Sequence, residues 1–264
     1  MRRLDLYGCG SMSAPVTVVG PTLLTDPLVT GIPVVEDGSE LVDLTAVGVR
    51  VRQASPALPP GLALPASSAP PAAAPGMRTH RLVRRTLAER LGEADALLPD
   101  GLRLLVVEGL RPLIVQRTIH AAYRSRIAAE RSGLDPAELD RLASRFVAPP
   151  ATAPHVSGAA VDLTLVDYDG EALDLGTPID ATPEESAGAC YFDAPGITPT
   201  ARLLRATLAR ALGRAGLVNY PTEWWHWSFG DRYWAHVTRS PFAIHGPVAD
   251  RSAALSPRAR PGAG

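Results

Sequence analysis

Between residues 54 and 76 the chain reads ASPALPPGLALPASSAPPAAAPG. Proline fixes φ and removes a backbone donor, so no regular helix or strand survives at that density. The run is expected to be a linker or a long surface loop, with regular structure on either side of it. Before it, residues 1–53 form an N-terminal segment with short β-like runs, Val16 to Val19 and Val47 to Val51, broken by glycine and proline. After it, residues 77–249 are expected to be the compact domain. Residues 250–264 resemble the linker in composition and are expected to be a frayed tail.

At 264 residues, 46% hydrophobic and 20% charged, the chain has the composition of a soluble globular protein with a sizeable core. Its 26 basic and 27 acidic residues leave a net charge of -1, so no field draws it to nucleic acid or to an acidic membrane surface. Arg2 and Arg3 are followed by no apolar run of the kind a secretory signal needs, and no stretch approaches the ~20 apolar residues of a membrane span. Cys9 and Cys190 are too few for a disulfide framework and sit in no CxxC pair. The expectation is a cytoplasmic protein with reduced thiols and no nucleic-acid or membrane partner.

Within 77–249 the periodicity changes from helix to strand and back. Leu82, Leu87, Leu91 and Leu98 fall on one face of a predicted helix over 78–98, ended by Pro99-Asp100-Gly101. Leu102 to Val107 has strand length. Pro112 is suited to open the next helix, which runs to Ser132 and stops at Gly133. Asp135 reads as the N-cap of another. Residues 159–166, AAVDLTLV, read as a strand that places Ala160, Asp162 and Thr164 on one face. Asp169-Gly170 is a hairpin signal, with Glu171 to Leu175 as the return strand. A helix over 198–215 and an aromatic strand-like run from Trp224 to Phe229 follow. Helices and strands mixed around a central hairpin predict an α+β fold, with a central antiparallel sheet and flanking helices.

Three motifs carry chemistry. In the first, His155 follows Pro154, and Asp162 lies on an apolar strand where a carboxylate is costly unless it is paired, hydrogen-bonded or bound to a cation. Gly158 lets the chain turn so that His155 returns over Asp162. The second is Glu223-Trp224-Trp225-His226-Trp227. Two histidines and one aspartate make a three-residue zinc ligand set with a fourth position for water, and one ion per chain is expected. Glu223 is then left over as the base, and the tryptophans are expected to exclude bulk water. The third is Glu108-Gly109-Leu110-Arg111-Pro112, where Arg111 at a strand-to-helix junction can hold a carbonyl oxygen as it gains charge and Glu108 can orient it. Singly, each has a plainer reading: a surface His155, an Asp162 that caps a turn, a Glu223–His226 hydrogen-bond pair, an Arg111 salt bridge. Together they supply ligands, base and oxyanion partner. His80, His120, His236 and His245 lack such company and read as surface or core residues.

At these residues the chain resembles the D-alanyl-D-alanine dipeptidases, a group that shares its fold with zinc D,D-carboxypeptidases and the hedgehog signalling domain. HxxGxAxDLTL at His155 to Leu165 and EWWHW at Glu223 to Trp227 carry the resemblance, with ExxRP at Glu108 to Pro112 and GTPID at Gly176 to Asp180 in support. The resemblance implies that His155, Asp162 and His226 bind zinc, Glu223 is the general base, Arg111 serves the transition state, and Asp180 receives the free amine of the dipeptide. It implies a metallopeptidase acting on a small dipeptide substrate from cell-wall metabolism, with a D,D-carboxypeptidase or related peptidase of cell-wall peptides as the alternative. Two features depart from the family: Ala153 stands where serine is common, and residues 20–76 contain no Tyr or Phe to match its N-terminal aromatic groups.

Overall fold

The computed structural model describes residues 21–53 and 78–248. The proline-rich run, the tail, Cys9 and the Val16 to Val19 run lie outside the described residues. The first element, α1 (Pro27–Thr30), is a single turn capped by Asp26, which accepts from the Leu28 N–H at 2.8 Å. β1 (Leu41–Asp43) leads into a 3-10 turn over Leu44–Val47, so only Val51 of the expected Val47 to Val51 strand pairs, in an isolated bridge to Val106.

The helix expected over 78–98 begins later. Thr79–Arg81 is a 3-10 turn, Leu82–Arg84 is β2, and α2 covers Arg85–Ala96. The reason is tertiary: β2 pairs antiparallel with β1, Val83 opposite Val42, and Leu82 O accepts from Leu110 N at 2.7 Å. Periodicity cannot see a partner some forty residues upstream. Leu87 and Leu91 do form the buried face of α2.

β3 (Arg103–Glu108), α3 (Leu113–Glu130) and α4 (Pro136–Ala143) follow. Pro112 stands at the N-cap of α3, one position earlier than expected, and Asp135 caps α4 through the Glu138 N–H at 2.9 Å. β4 is Ala160–Val166. Gly170, at φ 89, makes the predicted turn, but the return strand reduces to one bridge between Val166 and Ala172. α5 (Pro199–Arg214) starts at its Thr198 cap, and β5 (Val218–Asn219), β6 (His226–Ser228) and α6 (Arg232–Thr238) complete the order.

The main sheet has the order β3-β4-β6-β5, antiparallel throughout, as the α+β reading requires. One face packs on α2 and α5 through Val106, Val161, Leu163, Leu165, Leu91 and Leu212. A second cluster joins α3 to α4 through Ile119, Tyr123, Leu139 and Leu142. β4 is buried at every position, so Asp162 and Thr164 are not on a solvent face. Trp224, Trp225 and Trp227 belong to the main core and do not wall the cleft described below, contrary to the expected water-excluding role. Among the described residues no helix is long and apolar enough to cross a membrane. Leu163 is fully buried at the middle of β4. Leu163→Ala is therefore expected to lower unfolding free energy by about 2–5 kcal/mol in a denaturant titration; a change under about 0.5 kcal/mol would show that this strand is not the centre of the core.

Candidate metal centre and active-site cleft

The sheet register sets the site. Glu108 on β3 lies opposite Asp162 on β4, and Asp162 lies opposite His226 on β6. Pairing runs regularly from Arg103–Val166 to Val106–Leu163 and then shifts, skipping Val107. That bulge places Glu108 across from Asp162. Three polar residues thus form one row across a sheet that is otherwise apolar at this level.

His155 joins the row from outside it. It sits in a 3-10 turn, Pro154–Ser157, which Gly158 closes in the left-handed region at φ 67. A Cβ at Gly158 would stand 2.7 Å from Leu41 Cδ2, so glycine serves both the turn and the packing there. His155 Nδ1 donates to Gly109 O at 2.8 Å, which leaves Nε2 as the lone-pair nitrogen. Nε2 is 3.2 Å from Asp162 Oδ2 and 3.1 Å from His226 Nδ1, and His226 Nδ1 is 3.1 Å from Asp162 Oδ1.

This donor set fits a divalent metal. Two imidazole nitrogens and a carboxylate converge, and a proton shared among them satisfies one contact at a time, whereas a cation satisfies all three. Tetrahedral zinc at about 2.0–2.1 Å from each ligand holds ligand atoms about 3.3 Å apart, close to the spacing found. His155, Asp162 and His226 are all buried.

The segment before β6 brings Glu223 to the same place. Asn219 Nδ2 donates to the carbonyls of Glu223 and His226, both at 2.9 Å, and fixes the turn between them. Glu223 Oε2 lies 3.9 Å from His226 Nδ1. Arg111 enters from the β3–α3 junction. Its Nε donates to Glu108 Oε1 at 2.9 Å, its second terminal nitrogen bonds Glu108 Oε2, and the first donates to Gln116 Oε1 at 2.9 Å. Gln116 is anchored in turn by donating to Ala148 O at 2.7 Å. A guanidinium has five N–H groups, so one remains on each terminal nitrogen. Asp180 lines the same cleft, from a backbone in the left-handed region at φ 66. Apolar residues line the cleft as well: Leu24, Ile119, Phe146 and Val147.

Electrostatics follow from crowding. Burial raises the Asp162 carboxyl, but the adjacent His155 and His226 outweigh it and hold Asp162 far below the usual carboxylate range. Burial lowers His155, and Asp162 more than restores it; burial and the charge of His155 lower His226. Burial, then Asp162 and Asp180, push Glu223 well up. Burial, then Asp162 and Glu108, bring Asp180 to about 7. Arg111 stays protonated because Glu108 offsets its burial.

All six residues singled out in the sequence meet here: His155, Asp162, His226, Glu223, Arg111 and Asp180 line one cleft. Sequence reasoning missed three others that shape it. Gln116 has a usable signal, a buried polar residue on the apolar face of α3. Tyr220, edge-on to His226 with its hydroxyl donating to Ser144 O at 2.7 Å, and Leu24 have none, since only folding brings them in. Sequence reasoning also gave His245 no company, yet Glu36 and Asp37 stand beside it. Glu36 is already engaged there, by the Gly246 N–H at 2.6 Å and by Arg84.

A His/Asp/His cluster beside a buried acid and a fixed guanidinium fits the single-metal hydrolases as a class. A family model described as D-ala-D-ala dipeptidase matches residues 75–243, and the chain belongs to that family. A D-alanyl-D-alanine dipeptidase of Synechocystis sp. is 27% identical over 199 residues, 65% of this chain and 81% of that protein. One from Escherichia coli is 36% identical over 72 residues, 27% of this chain and 35% of that protein. The solved structure of VanYB in complex with D-Alanine-D-Alanine is 20% identical, covers 62% of this chain and 80% of its own, and has a TM-score of 0.37.

If the cluster holds the metal, His155→Ala, Asp162→Ala and His226→Ala each remove one of three protein ligands. Zinc content of the purified variants, measured per chain, is expected to fall below that of the unaltered protein; full occupancy in any one would remove that residue from the ligand set.

Proposed function

We propose that this protein is a zinc dipeptidase that hydrolyses D-alanyl-D-alanine or a similar small dipeptide, with one zinc ion held by His155, Asp162 and His226. The observation that carries this reading is the convergence of their ligand atoms within 3.1–3.2 Å in the cleft that Glu223, Arg111 and Asp180 also line. Membership of the D-alanyl-D-alanine dipeptidase family supports the substrate class.

Zinc, when bound, polarises a carbonyl and makes water more acidic. The chain's own groups do the rest. Glu223 takes a proton from the attacking water as its oxygen bonds to the carbonyl carbon. As the C–N bond breaks, Glu223 passes that proton to the leaving amine. Burial raises its affinity for a proton, the direction that helps it hold one between the two halves of that transfer. Arg111 directs its two remaining N–H groups toward the carbonyl oxygen as that oxygen gains charge, and Glu108 with Gln116 holds the guanidinium still. Asp180 takes the substrate ammonium, which selects a free dipeptide over an internal peptide bond.

Glu223→Gln keeps the shape and loses the base; it is expected to retain zinc and to lose at least ~10²-fold in kcat. Arg111→Ala is expected to retain zinc and to lose activity chiefly in kcat. Near-normal turnover in either zinc-loaded variant contradicts the assigned roles. For substrate class, free and N-acetylated D-Ala-D-Ala are to be compared. Acetylation removes the ammonium partner of Asp180, and kcat/KM is expected to drop more than ~10-fold. Equal cleavage of the acetylated form would replace the dipeptidase reading with that of a carboxypeptidase acting on longer cell-wall peptides.

A further inference from the structure

Arg205 on α5 is 1% exposed and forms no ion pair among the described residues. Its guanidinium instead donates to four backbone carbonyls: Nε to Leu175 O at 2.7 Å, one terminal nitrogen to Tyr191 O at 2.7 Å and Phe192 O at 3.1 Å, the other to Ala189 O at 2.9 Å. It also lies 5.5 Å from the Trp224 ring centre. A buried guanidinium without an anion is costly, and desolvation brings its pKa down to about 10.

The carbonyls it serves explain the arrangement. From residue 167 to residue 198 the chain has no helix or strand, only turns and the single bridge at Ala172. A long irregular stretch inside a compact domain has no ladder to satisfy its carbonyls, and such stretches are commonly functional. Leu175 lies upstream of Asp180; Ala189, Tyr191 and Phe192 lie downstream. One side chain thus joins both limbs of the stretch that carries Asp180 into the cleft. Gly176 packs beside it: at φ 100, with a built Cβ 3.0 Å from Ile197 Cγ2 and 3.2 Å from an Arg205 terminal nitrogen, that position suits glycine alone. The same region is fastened to the Glu223 segment by Trp224 Nε1 donating to Thr177 Oγ1 at 2.8 Å and Trp224 N to Cys190 O at 3.0 Å.

We infer that Arg205 is a positioning residue for substrate selection: by holding the carbonyls on both sides of Asp180 it fixes that carboxylate where a free ammonium must meet it. This rests on the ammonium-binding role proposed for Asp180. A pillar that only supports the fold would change stability and leave selectivity alone.

The test uses full-length, zinc-loaded protein and compares kcat/KM for free and N-acetylated D-Ala-D-Ala. Arg205→Lys keeps the charge but cannot span four carbonyls. It is expected to lower kcat/KM for the free dipeptide about tenfold, mainly by raising KM, while zinc content and the acetylated substrate are unaffected. In an Asp180→Asn background the same change is expected to cost nothing further in selectivity. An unchanged ratio between the two substrates in Arg205→Lys, or an equal loss on both, overturns the inference while the dipeptidase reading stands. If the unaltered protein itself fails to discriminate, both fall. Should Arg205→Lys not fold, Arg205→Gln leaves a neutral donor for part of the same carbonyl set, and the same selective loss is expected; an unchanged ratio there overturns the inference.

Discussion

Asp162 is a charged carboxylate buried at the centre of a sheet, and much of the molecule is arranged to keep it there. β4, which carries it, has no exposed residue, so solvent offers no relief. An isolated charge in such a place costs several kcal/mol even after relaxation. Compensation comes from two histidines reached by different means. His226 is delivered by strand register, and His155 by a turn that needs the left-handed glycine at position 158. The same two imidazoles that steady the carboxylate form with it the proposed metal ligand set. Stability and chemistry therefore draw on one contact, and a change at Asp162 touches both.

The rest of the cleft reads as a charge balance. Asp162, Asp180 and Glu223 line it, with Glu108 directly behind, and among the lining residues only Arg111 brings a fixed positive charge. Carboxylates in that surplus raise one another, which is the direction seen at Glu223 and Asp180. A divalent ion and a substrate ammonium are the two cations such a site calls for, and both belong to the proposed reaction. Arg111 keeps its charge because Glu108 binds it from the side away from the cleft, with Gln116 as a second brace.

Much of this was legible in the sequence, for definite reasons. A strand of apolar residues interrupted by Asp162, and an acid and a histidine three apart in an aromatic run, are local signals, and short spacing survives folding. The α+β class followed from changes of periodicity, and caps such as Asp135 and Thr198 from residue chemistry. What failed was non-local. β2 was hidden inside a helical pattern because its partner lies beyond the proline-rich run. The tryptophans were assigned to the cleft by adjacency to Glu223 and His226, yet their rings point into the core beneath. Arg205 gave no sign at all, since an arginine on an amphipathic helix looks solvated until the segment it anchors is seen.

The central claim is that catalysis depends on one metal ion at this buried cluster. Zinc titration into chelator-stripped protein, with D-Ala-D-Ala hydrolysis followed at each addition, tests it most directly. The account predicts no activity without metal and a linear rise that breaks at one equivalent per chain. Full hydrolysis by the stripped protein, or a rise that breaks only at two equivalents, would contradict it.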